Sequence, residues 1–167
     1  MVNGLKLTYN QFNMKHLKLY EEHINEIGDG GSKPFKWKWM GRNFDYAEFT
    51  TDSGIRYEVS MDREEDYTQL DTYEIMRIEY GVETISGQLS YTQVTNEGEL
   101  YRVMATVTDI VKTALKKHTD VKQLEFTGSK NKGVDDQRRN KLYTAYVKRQ
   151  LKAKDIYSDG NTITVEL

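Results

Sequence analysis

The chain has no cysteine and only one proline in 167 residues. Without cysteine there can be no disulfide framework, no thiolate nucleophile and no zinc–thiolate centre. Long apolar runs are missing too. None approaches the roughly 20 residues needed to span a bilayer, and the opening MVNGLKLTYN has neither the charged nor the apolar region of a signal peptide. The expectation is a soluble intracellular protein with no membrane partner. Mean hydropathy is low, at -0.77, but twelve tyrosines, five phenylalanines and two tryptophans supply large buriable surfaces and argue against disorder. A chain of this length supports one sizeable core, which gives a single domain over residues 1–167.

Charge is unevenly distributed. Residues 1–100 carry 10 Lys/Arg against 18 Asp/Glu, and residues 101–167 carry 14 against 8, so the two parts stand at -8 and +6. Such polarity marks either a face for an acidic partner or two faces that attract each other within one fold.

Apolar spacing assigns the elements. Leu17, Tyr20, Ile24 and Ile27 form one helical stripe after a short strand at Leu5–Tyr9, and Gly28, Gly30 and Gly31 end it. From Phe35 the period changes to two. FKWKWM puts Phe35, Trp37 and Trp39 on one face and Lys36 and Lys38 on the other. Two strands flank the TDSG turn, with Ile55, Tyr57 and Val59 sharing a face. DREEDYTQLD, residues 62–71, reads as an acidic exposed loop. Alternation resumes through Tyr73, Ile75 and, less cleanly, Ile78 and Tyr80, and GQLSYTQVT is a fifth run. Leu100, Val103, Val107, Ile110 and Val111 lie on a long helix flanked by Glu97, Glu99, Lys116, Lys117 and His118, charges that suit its dipole. VKQLEFTG is a strand, DDQRRNKLYTAYVKRQLK a helix, and NTITVEL a terminal strand. The strands QLSYTQVT and VKQLEF can pair in parallel across the long helix.

Signals for catalysis are sparse. His16, His23 and His118 are dispersed, Asp62, Glu64, Glu65 and Asp66 lack the spacing of a calcium loop, and Ser53 and Ser60 have no partnered histidine. No metal is expected. The basic segment is more distinctive. Between Ser129 and Lys154 there are nine Lys/Arg against Asp135 and Asp136. Arg138, Lys141, Lys148, Arg149 and Lys152 can form an exposed band on a helix that turns Leu142, Tyr146 and Leu151 toward the sheet, and Arg138, Arg139, Lys148 and Arg149 are the candidate partner-binding residues. Two readings of this band stay open. In one it lies beside the acidic strands, around Glu48, Glu58 or Glu79; in the other it engages an acidic or nucleic-acid partner. A pI near 6.0 does not suit a dedicated nucleic-acid binder.

The order strand, helix, hairpins, helix, strand, helix, strand resembles the GNAT acyltransferase superfamily over most of the chain, and RRNKLYTAYVKRQL is similar to the late GNAT segment carrying a functional tyrosine. The resemblance implies a catalytic role for Tyr143 and, for an atypical acetyl-CoA site, roles for Asn96 and Gly98. The family's acyl-CoA loop, Arg or Gln followed by two residues, Gly, one residue and Gly or Ala, is absent from TNEGELYRV. The segments FTTDSGIRYEVS, YRVMATVTDIVKTAL, LEFTGSKN and RRNKLYTAYVKR also resemble a group of small proteins of tailed bacteriophages, to which no activity attaches.

The expected fold is therefore a single α+β domain, GNAT-like, with a mixed, mostly antiparallel central sheet flanked by about three helices. The expected function is a non-catalytic phage accessory or virion-associated interaction protein with a protein partner, no cofactor, and a place in the host cytoplasm or the virion. The alternative is an acyltransferase-like enzyme using acetyl-CoA. Trp37, Trp39, Leu100, Val103, Val107, Ile110, Val111, Leu124, Phe126 and Leu142 are expected in the core.

Overall fold

Strand alternation, more than helix content, decides the architecture. The computed structural model describes residues 32–66, 73–83, 89–90, 99–127, 144, 146–159 and 162–167, and Lys33–Leu167 cluster as one compact unit. The expected first strand and helix, with His16 and His23, lie outside the described residues. The strands are β1 (Trp37–Trp39), β2 (Tyr46–Thr50), β3 (Arg56–Asp66), β4 (Tyr73–Glu83), β5 (Leu89–Ser90), β6 (Val121–Thr127), β7 (Asp155–Asp159) and β8 (Thr162–Glu166). Helix α1 spans Leu100–Leu115, and the described part of α2 covers residues 146–151.

The sheet runs β1-β2-β3-β4-β6-β8-β7, with β5 beside the far end of β4. Every pairing is antiparallel except β4 with β6, which is parallel. The parallel partner of β6 is thus β4 and not the GQLSYTQVT run, whose described residues pair antiparallel with Val82 and Glu83. A parallel pair needs a crossover, and α1 supplies it.

This is not the GNAT-like sheet flanked by about three helices that the order of elements implies. The described residues contain two helical stretches, and both join the same core cluster on one side of a strand-rich sheet. Order along the chain does not fix order within the sheet. Here an eleven-residue hairpin, β3 with β4, forms its centre. The acidic run 62–66 is part of that hairpin and not a loop, because Arg63 bonds Glu74 and Arg77 bonds Glu64 across the strands.

Register assigns the faces. Ala47, Val59, Tyr80, Met61, Ile78 and Met76 meet across β2, β3 and β4 on one side, and Leu124, Val165 and Ile156 continue it through β6, β8 and β7. Against this side α1 buries Val103, Val107, Ile110, Val111 and Ala114, and α2 buries Val147. Phe35, Phe49 and Tyr57 stack in a column, with ring centroids 5.9 and 5.0 Å apart. Trp37, Trp39, Leu100 and Phe126 are only partly buried, and Leu142 lies outside the described residues. On β4 the core takes Met76, Ile78 and Val82. Ile75 falls on the opposite face, so the alternation through it belongs to the other side of the strand.

Three described residues have left-handed backbone, one of them Lys152 just after α2, with φ 52. Gly54 has φ 86 and closes the β2–β3 hairpin, its N–H donating to the Thr51 carbonyl at 3.0 Å. Phe44 adopts φ 60 without being glycine and is held edge-on to Trp39 at 5.4 Å.

Adjacent residues on β4 test which face is the core. Met76→Ala is expected to cost about 2–5 kcal/mol in chemical denaturation, because Met76 is fully buried. Ile75→Ala should cost about 1 kcal/mol or less, as only part of that side chain leaves water. Equal or reversed losses would show that the assigned face is wrong.

Candidate functional site

The face of the sheet turned away from the helices carries an unusual charge. By register it receives Glu48 from β2, Glu58, Asp62 and Glu64 from β3, Glu79 and Glu83 from β4, Glu125 from β6, Glu166 from β8, and Asp155 and Asp159 from β7. The cations on the same face are Lys38, Arg56 and Arg77. Ten carboxylates against three cations would repel strongly if left unorganised, and two arginines organise them.

Arg56 reaches Glu48 and places its other terminal nitrogen 2.9 Å from Glu83 and its first 4.0 Å from Glu58. Glu48 is almost fully buried, and Lys38 also approaches it at 3.6 Å. The hydrogen bond to Glu48 holds the Arg56 guanidinium above its usual pKa despite some desolvation. Burial pushes the nearby Tyr46 hydroxyl well above the ordinary phenol range, and the neighbouring Glu58 carboxylate adds to the shift. Tyr46 also donates toward Glu48 at 3.5 Å. Arg77 plays the same part further along β4, bonding Glu125 at 2.9 Å and Glu64 at 2.5 Å. Asp62, Glu79, Asp155, Asp159 and Glu166 enter no ion pair among the described residues.

The helical layer bears the opposite sign. Lys116 and Lys117 at the end of α1, and Lys148, Arg149 and Lys152 around α2, are exposed. Lys112 donates to Gln150 at 2.9 Å and ties the two helices together. Carboxylates on this side are already engaged. Asp109 accepts the Trp37 indole N–H at 2.8 Å, and Glu99 accepts the Ser53 N–H at 3.0 Å and its hydroxyl at 2.5 Å. Glu99 therefore binds the β2–β3 turn instead of capping α1, which has no side-chain cap. Arg102 completes this junction by bonding Asp52 and lying 3.9 Å over the Phe35 ring.

Of the residues singled out in the sequence, Lys148 and Arg149 lie together on the exposed side of α2. Lys148 enters no ion pair among the described residues, whereas Glu48, Glu58 and Glu79 occupy the far face of the sheet. Arg138, Arg139, Tyr143, Asn96 and Gly98 lie outside the described residues. His118 meets the Asn43 carbonyl at 3.2 Å, and Ser53 is bound to Glu99 with no histidine beside it. The sequence reading missed the acidic face as a continuous surface. Its signal was present in EVSMDRE and RIEYGVE, where every second position is charged except Ser60 and Gly81.

No protein-family model matches the chain, and no curated protein matches it either.

Two substitutions test these contacts. Arg56→Ala should lower the denaturation midpoint, because the buried Glu48 loses its main partner, and adding Glu48→Gln should recover part of the loss. If the double variant is no more stable than the single one, Arg56 acts by some other route. The Ser53 hydrogen bonds hold the Glu99 carboxyl below its usual pKa. A depressed carboxylate stabilises the fold above its unfolded pKa of about 4.3, and that contribution is lost as pH falls through the lower folded value. The melting-temperature gap between the wild type and Glu99→Ala should therefore be full at neutral pH and close below about pH 4. A gap unchanged by acid would count against the assignment.

Proposed function

We propose that this protein is a non-catalytic interaction protein, a phage accessory or virion-associated factor acting in the host cytoplasm or on the virion, and that the basic outer surface of its helical layer meets an acidic protein. The observation that carries this reading is the separation of charge. Lys148 stands on the opposite side of the sheet from Glu48, Glu58 and Glu79, so those carboxylates do not satisfy it, and Arg149 is exposed beside it. The phage assignment is supported by the sequence resemblance alone. Arg138 and Arg139, in the same basic segment, would extend the surface. A protein partner is favoured over nucleic acid because the whole chain is slightly acidic, with a pI near 6.0.

The acyltransferase reading is not carried forward. It depended on a GNAT-like topology, which the observed strand order replaces.

Polyglutamate and an oligonucleotide of matched charge serve as probes. The wild type should bind polyglutamate at low salt and lose it as salt rises past about 0.15 M, where screening acts over roughly 8 Å. Lys148→Glu combined with Arg149→Glu should weaken binding about tenfold, and Lys148→Glu alone should leave stability within about 0.5 kcal/mol. Unchanged binding by the double variant would refute the surface, and binding of the oligonucleotide alone would assign it to nucleic acid.

A further inference from the structure

The two faces just described are complementary to each other, and they lie on opposite sides of a two-layer fold. We propose that the acidic partner of the basic helical surface is the sheet face of a second copy of this chain, so that copies stack head to tail. The inference rests on the reading above and names the partner it requires.

Three observations favour a second copy over a foreign cationic or anionic protein. First, each face holds unspent charge of the sign the other lacks. Asp62, Glu79 and Asp159 enter no ion pair among the described residues on one side, and Lys116 and Lys148 enter none on the other. Second, the paired carboxylates are fixed by Arg56 and Arg77, so the sheet face is a preorganised array and loses little side-chain entropy on docking. Third, the size is adequate. Seven strands spaced at about 4.8 Å make a face roughly 29 Å across, which can accommodate the ~800 Å² per partner of a standard interface.

The geometry has a consequence for stoichiometry. One copy contributes its sheet and the next its helices, so the contact is heterologous and leaves a free face at each end. Growth therefore continues past a dimer unless a ring closes.

The full chain supplies the test, by sedimentation velocity over a range of concentrations. At low salt the wild type should form species larger than a dimer, and it should be monomeric at about 0.5 M salt, where the screening length is a few ångströms. Asp62→Lys combined with Glu79→Lys reverses two of the carboxylates on the sheet face that enter no ion pair among the described residues, which blocks that face by repulsion, and keeps the basic one. Lys116→Glu combined with Lys148→Glu does the reverse. Each variant alone should be monomeric, and an equimolar mixture should give a 1:1 dimer and nothing larger, because every copy then has one usable face. That rescue shows that both variants are folded.

A wild type that stays monomeric at low salt overturns the proposal. If it still binds polyglutamate through Lys148 and Arg149, the interaction reading survives and only the choice of partner fails. If it binds neither, both fail. Variants that assemble as well as the wild type would also overturn it. So would a monomeric wild type whose sheet-face variant melts early, since the face would then be covered by another part of the same chain. Capture of polylysine by a monomeric wild type would assign the sheet face to a foreign cationic partner, with the same result.

Discussion

The β3–β4 hairpin is the constraint on which the rest depends. Ten consecutive cross-strand pairs, from Tyr57 with Val82 to Asp66 with Tyr73, fix which side chains share a face, and a slip of one residue would exchange the two sets completely. In the observed register Val59, Met61, Met76 and Ile78 are buried together, while Glu58, Asp62 and Glu79 gather on the other side. A single register choice thus creates both the core and the acidic surface. The outer pairings, β2 on one side and β6 with β8 on the other, extend a decision already made at the centre.

Holding many carboxylates on one open face has an electrostatic cost, and the molecule meets it locally. Arg56 and Arg77 each span more than one strand, which turns neighbouring repulsions into shared attractions. The opposite side is fastened by a different set of bonds. The Phe35 N–H donates to the buried Thr106 hydroxyl at 2.8 Å, Trp37 reaches Asp109, and the β2–β3 turn grips Glu99 and Arg102. These contacts join residues about fifty to seventy apart in the chain, and they fasten α1 to β1 and to the β2–β3 turn. Function, on this account, follows from where a polar two-layer fold leaves its charge.

Much of the local structure was legible in the sequence. Period-two alternation identified β1, β2 and the first half of β3, the TDSG turn fell where Gly54 takes its left-handed φ, and the stripe from Val103 to Val111 is buried as its spacing implied. The failures have physical causes. The acidic stretch 62–66 looked like a loop because its stabilising partners, Glu74 and Arg77, lie across the hairpin and not nearby in sequence. On β4 both faces carry an apolar residue, Ile75 on one and Met76 on the other, so alternation alone could not choose between them. Strand β7 was overlooked because DIYSD is short and mostly exposed, although Asp159 before a Gly-Asn pair and a facing ITV are hairpin chemistry. Strand order was the least accessible feature, since it depends on pairings between distant segments. The GNAT-like expectation failed there. The charged surfaces were only half legible: the basic segment stood out as a run, but the acidic face is assembled from six strands and appears only once they are aligned.

The lack of native cysteine makes the central claim directly measurable. Single cysteines placed at positions 61 and 62 on β3 and at 78 and 79 on β4 sample two pairs of sequence neighbours, one of each pair on either face. Their labelling by a thiol reagent can be followed in the folded full chain at high salt. Cysteines at 62 and 79 should react nearly as fast as a free thiol, while those at 61 and 78 should react only as fast as the protein unfolds. Rapid labelling at 61 and 78, or protection at 62 and 79, would contradict a sheet with one face in the core and the other open, and with it the separation of charge from which the function is inferred.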